Sequence, residues 1–172
     1  MLLAARPGAS PAQTGPTPEY QLKAVFLFNF AQFVEWPPSA FPDRDAPLVI
    51  GILGDDPFGA YLDETVRGER VNDHPLVVKR FSRVEDIEAC HILFVSDPGK
   101  GHLKPILDSL HGRSVLTVSD VERFPAKGGM IGFVTDQRRI RLRINLGAAK
   151  AADLTISSKL LRPAEIVSDA RD

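Results

Sequence analysis

Four carboxylates mark where this chain has the means for chemistry. Asp55 and Asp56 follow the apolar run Leu48 to Gly54, Asp97 follows His91 to Val95, and Asp120 follows Ser114 to Val118. If those runs are strands of one parallel sheet, all four acids lie at strand C-terminal ends, where open sheets bind ligands. With Phe58 they outline a crevice for a small molecule, or a Mg²⁺ or phosphoryl-accepting pocket. Against this, Pro57 and Pro98 follow Asp56 and Asp97, the order expected of a helix cap and its first turn.

The layout resembles a response-regulator receiver, but the fifth apolar run ends in Thr135 and Asp136, without the lysine a receiver places there. Gly51, Gly54 and Gly59 do not make G-x-G-x-x-G, and an acidic turn repels a pyrophosphate. Cys90 and His91 are neighbours and so face opposite sides of a strand. His102 and His111 are half a turn out of phase on a helix. No metal-ligand spacing and no nucleophile motif occur, so the sequence offers no catalytic residue, cofactor or metal site. The single cysteine excludes a disulfide within the chain.

A second set of residues suits contact with proteins. Phe30, Phe33, Glu35, Trp36 and Phe41 put aromatic surface near one helix end, a type favoured at interfaces. Arg139, Arg141 and Arg143 share the wet face of an alternating strand, with Arg138 in the preceding turn. Charges there discourage sheet-to-sheet aggregation or meet an acidic partner.

Tyr20 to Pro38 is the most apolar stretch. Its spacing predicts a helix with Leu22, Val25, Phe26, Phe30, Phe33 and Val34 on one face, and Lys23, Gln32 and Glu35 toward water. A helix this apolar all round needs cover on more than one side, from the domain or from a second copy of the chain. It is shorter than the roughly 20 apolar residues of a membrane span. Further strands are expected at Leu76 to Phe81, Met130 to Val134 and Ile140 to Leu146, the last at an antiparallel edge. Helices are expected from Pro57, capped by Asp56, to about Val66, and over Val84 to Ala89, His102 to Leu110 and Ala148 to Arg162.

The pattern gives an α/β fold of three layers. A mostly parallel sheet of about six strands carries helices on both faces and an antiparallel C-terminal edge hairpin. Residues 19–167 form one domain between a disordered tail, 1–18, and a disordered C-terminus, 168–172. A net charge of −1 gives no electrostatic case for nucleic acid. Ser10-Pro11-Ala12 suits a signal-peptidase site, and Leu2 to Ala5 would be the last part of an incomplete secretory signal.

Several blocks, in order, resemble the YfiR family of small periplasmic regulators: Phe33-Val34-Glu35-Trp36-Pro37, Ile50 to Phe58, Gly128 to Phe133, Arg143-Ile144-Asn145-Leu146 with Ala148-Ala149, and Ile156 to Leu161. The resemblance implies a periplasmic α/β domain without catalysis. It would act, as a repressor, on the periplasmic segment of an inner-membrane diguanylate cyclase or sensor kinase, linking envelope state to cyclic-di-GMP and biofilm formation. In the best-known system an outer-membrane lipoprotein is a further partner. Better-studied members use disulfides, which Cys90 alone cannot form. The reading is a non-enzymatic homodimeric regulator; the alternative is a periplasmic small-molecule sensor using the strand-end crevice.

Overall fold

The computed structural model describes residues 15–169. The proposed signal remnant falls largely outside them. One sheet of eight strands has the order β10-β8-β7-β6-β5-β2-β4-β3. The long strands are β2 (Leu48–Leu53), β4 (His74–Phe81), β5 (Ile92–Val95), β6 (Leu116–Ser119), β7 (Ile131–Asp136) and β8 (Arg139–Asn145). From β4 through β2, β5 and β6 to β7 every pairing is parallel; β7 and β8 form an antiparallel hairpin. The expected α/β class holds. β2 and β5, the first and third long strands, are neighbours, so the strand order reverses between them, the place where such sheets open a crevice.

Alternation within the strands builds the layers. Ile50, Ile52, Ile92, Phe94, Leu116, Val118, Ile131 and Phe133 face one core, covered by α1 (Pro18–Phe33), α2 (Ala60–Val66), α4 (Leu146–Ala151) and α5 (Ser158–Leu161). Leu53, Leu93 and Val95 face the other, beneath α3 (Leu103–Ser109) and Phe124. Gly51 lies in this second layer because a Cβ there would come within 2.8 Å of the Cys90 sulfur.

Several expectations need correction. α1 buries Lys23, Ala24, Leu27, Phe30 and Ala31, a face rotated from the one expected. Leu22 and Val25 stand outside at 46% and 36% exposure, while Lys23, expected in water, is 1% exposed. In a helix apolar all round, spacing cannot choose the buried face; the sheet's partners choose it. The predicted helix from Ala148 to Arg162 is broken. Asp153 takes a left-handed φ of 60°, Leu154 returns its N–H to Ala149, and β9 (Thr155–Ile156) intervenes before α5. Val84 to Ala89 makes only a 3₁₀ turn at Val84–Asp86. α2 and α3 start several residues after Asp56 and Asp97, whose carboxylates instead close turns on the N–H groups of Phe58 and Gly99. β8 is an edge for half its length, because β10 (Glu165–Val167) runs parallel beside Arg143–Asn145.

Two short pairings were not foreseen. β3 (Arg70–Val71) folds back on the start of β4. β1 (Val34–Glu35) pairs with β9, setting Val34 opposite Ile156. The first and last of the sequence blocks that resemble the YfiR family therefore meet in space.

Candidate functional site

α1 runs across the sheet, and each of its ends is fixed by a polar cluster. At the N-terminal end the Lys23 ammonium donates to Asp120 Oδ2 at 2.8 Å and to Glu19 Oε1 at 2.7 Å. Tyr20 Oη donates to the same Asp120 oxygen at 2.7 Å, and Thr135 Oγ1 donates to Glu19. The ammonium also lies 4.4 Å from the Tyr20 ring centre and 5.7 Å from that of Phe133, so its attraction to two π faces supports the ion pairs. Hydrogen bonds from Lys23 and Thr135 hold the Glu19 carboxyl below its usual range. Burial and the Asp120 charge push the Tyr20 hydroxyl up.

Beyond the other end of α1, the chain from Trp36 to Ala46 crosses the N-terminal ends of β2 and β5. Trp36 Nε1–H donates to the His91 carbonyl at 3.0 Å. Phe41 is sandwiched between His74, 3.8 Å away, and His91, 4.3 Å away, with all three rings nearly parallel. His91 is 3% exposed. The Val49 N–H points at its Nδ1 at 3.0 Å, so Nδ1 carries no proton and Nε2–H donates to Ala40 O at 2.9 Å. Burial pulls the His91 pKa down, and His74 adds to that. His74 Nδ1–H reaches Ala46 O at 2.7 Å. The loop is thus held by an aromatic stack.

The four acids do not converge. Asp55 is exposed, and among the described residues only its backbone carbonyl is engaged, by the Ser96 hydroxyl. Asp56 accepts from Phe58 N, Gly59 N and Arg80, which also clamps Asp63. Asp97 closes its own turn, and Asp120 belongs to the Lys23 cluster. Phe58 is fully buried, edge-on to Phe94 and Tyr20. Among the described residues no group of three or more His, Cys, Asp or Glu is placed to hold a metal. A pocket of about 440 Å³ does open at the ends of β2 and β5, lined by Gly54, Ser96, Asp97, Arg83, His102 and Ile106 among others.

Of the contact candidates, Phe30 packs wholly inside the chain, Phe33 and Trp36 are half-buried, and Glu35 is exposed. Phe41 is half-buried in the histidine sandwich. Arg139 and Arg141 are exposed, and Arg143 pairs with Glu165 at 2.9 Å. Cys90 is buried beside Gly51, and desolvation pushes its thiol to about 12, which leaves it unreactive. Sequence reasoning missed Lys23, His91 and His74 as structural anchors. The Glu19–Lys23 spacing of four residues was the available signal for the first; the histidines gave none beyond their type.

No helix of the described residues is long and apolar enough to cross a membrane. No curated protein matches the chain. The pattern that defines the YfiR/HmsC-like proteins, regulators of signalling proteins from the periplasm, matches residues 20–165, nearly all of the fold described above. The chain belongs to the YfiR/HmsC-like family.

Proposed function

We propose that this protein is a periplasmic regulator that performs no reaction. It binds the periplasmic segment of an inner-membrane signalling protein, a diguanylate cyclase or a sensor kinase, and represses it. The observation that carries the reading is the family match across residues 20–165. The geometry fits it, since the strand-end acids are spent on turns and ion pairs rather than aimed at one point. The surfaces offered are the Trp36 to Phe41 loop with Phe33 and Glu35, and the arginine-bearing strand β8. Leu22 and Val25 extend the exposed apolar surface along α1 and suit a homodimer. Sedimentation at tens of micromolar checks the dimer, and a strict monomer contradicts it.

Cellular cyclic-di-GMP, measured with and without the gene, tests the repressor role. It rises on loss of the protein if the target is a cyclase; if the target is a kinase, phosphorylation of its substrate rises instead. No change in either output overturns the reading. The 440 Å³ pocket at the strand-order reversal favours a second reading, small-molecule sensing. Native mass spectrometry of the freshly purified protein decides it: a stoichiometric extra mass supports a ligand, and the bare chain mass speaks against one.

A further inference from the structure

We propose that the open half of β8 is a docking edge for an extended acidic segment of the partner. That segment pairs with the strand backbone and sets its carboxylates on alternate arginines. The inference rests on the regulatory reading above and names the chemistry of what is bound.

The register of the hairpin fixes the faces. Ile144 lies opposite Ile131 and Leu142 opposite Phe133, all on the core side. Arg143, Arg141 and Arg139 therefore share the other side, opposite Gly132, Val134 and Asp136. Alternate residues of a strand are roughly 6.8 Å apart, so the arginines form evenly spaced rungs. β10 covers β8 only from Arg143 to Asn145, and among the described residues no strand lies beside Arg139–Leu142 on that side. A notch of about 620 Å³ opens there, bordered by Val134 and Asp136 of β7 as well as by Arg141, Arg143, Pro163 and Glu165.

The chain itself shows how the first rung is used. Glu165 begins β10 beside β8, and its carboxylate accepts from Arg143 Nε at 2.9 Å. The guanidinium groups of Arg141 and Arg139 make no hydrogen bond or ion pair with any described residue. Asp136, across from Arg139, offsets part of that rung's charge, so Arg141 is the strongest free position. A segment that continues the line of β10 outward satisfies the open backbone groups of β8, as edge-strand addition requires. With Asp or Glu at every second position it repeats the Glu165 contact on Arg141 and Arg139.

The test uses the whole protein and a capped peptide of alternating glutamate and threonine, followed by fluorescence anisotropy. Saturable binding is expected, weakened about tenfold by Arg141→Glu and less by Arg141→Gln, with circular dichroism confirming the fold. A peptide of the same composition with its glutamates in one block, and one with alternate backbone nitrogens methylated, are each expected to bind at least about tenfold more weakly. Absence of binding at about 1 mM peptide overturns the proposal. So does equal binding of either control peptide, or indifference to both Arg141 variants. If the peptide fails while the protein still captures a signalling protein from solubilised membranes, the edge proposal falls and the regulatory reading stands. If both fail, both fall.

Discussion

The two anchors of α1 do the same mechanical work with opposite chemistry. At the N-terminal end a buried ammonium is held between two carboxylates and two aromatic faces. Past the C-terminal end, a neutral histidine holds a phenylalanine and a strand N–H. The ionic anchor is strong only while complete, because a buried charge that loses its partner is costly. The aromatic anchor costs little to bury but depends on one ring nitrogen staying unprotonated. The contrast matters for function, since the aromatic anchor holds the Trp36 to Phe41 loop proposed to meet a partner.

The largest effect that would break this symmetry is at the ionic end. Lys23→Ala leaves Asp120 and Glu19 without their cation, and should cost about 2–3 kcal/mol. That is below the range for fully buried pairs, because water still reaches Asp120 and Glu19. Lys23→Met, which keeps the stem between the rings, should recover about half of this. Urea denaturation measures both, and equal losses would show that packing contributes nothing.

His91→Ala removes the acceptor for Val49 N–H, the donor to Ala40 O and one side of the sandwich, for about 2 kcal/mol. Acid separates the anchors more sharply. The folded His91 pKa lies below the ordinary 6.5, so the unfolded chain takes up the proton first. Stability from this group is complete above about 6.5 and is lost as pH falls through the lower folded value. Glu19, also depressed, contributes its stability in full above about 4.5 and loses it only at lower pH, as pH falls through its folded value in the carboxylate range. Trp36 is the one tryptophan and bonds the His91 carbonyl, so its fluorescence reports the loop directly. A change in emission should begin below pH 6.5 in the wild type and be absent in His91→Ala. Identical profiles would contradict the tautomer assignment.

The smallest effect sharpens the comparison from outside. Arg143 and Glu165 form an exposed pair of similar length to the Lys23 pairs. Arg143→Ala should therefore change stability by less than about 0.5 kcal/mol, because solvent screens the charge. A loss as large as that of Lys23→Ala would mean β10 is essential to the sheet.

The anchors also show where sequence reading stops. Unbroken apolar runs such as Leu48 to Leu53 and Ile92 to Val95 were legible as parallel strands because burial on both faces leaves a continuous signal. Strands of two or three residues, β1, β3, β9 and β10, carry too few positions for any period. The turn at Asp153 was hidden because Ala148 to Arg162 is rich in helix formers, while β1 takes up Thr155 and Ile156 as a pairing partner. Lys23 looked solvent-facing because its partner Asp120 lies about a hundred residues away. The acids at the strand ends were located correctly along the chain, but their destinations, Arg80 and Lys23, are tertiary facts. The arginine alternation on β8 was legible in full; that half of the strand stays open depended on where β10 ends.

The most direct test of the central claim is capture from solubilised inner membranes with the purified protein as bait, followed by mass spectrometry. The account predicts strong enrichment of a membrane protein that joins a periplasmic segment to a cytosolic cyclase or kinase domain. It also predicts that Trp36→Ala together with Arg141→Glu reduces that enrichment in a protein that remains folded. Recovery of no membrane signalling protein, or recovery unchanged by both substitutions, would contradict it.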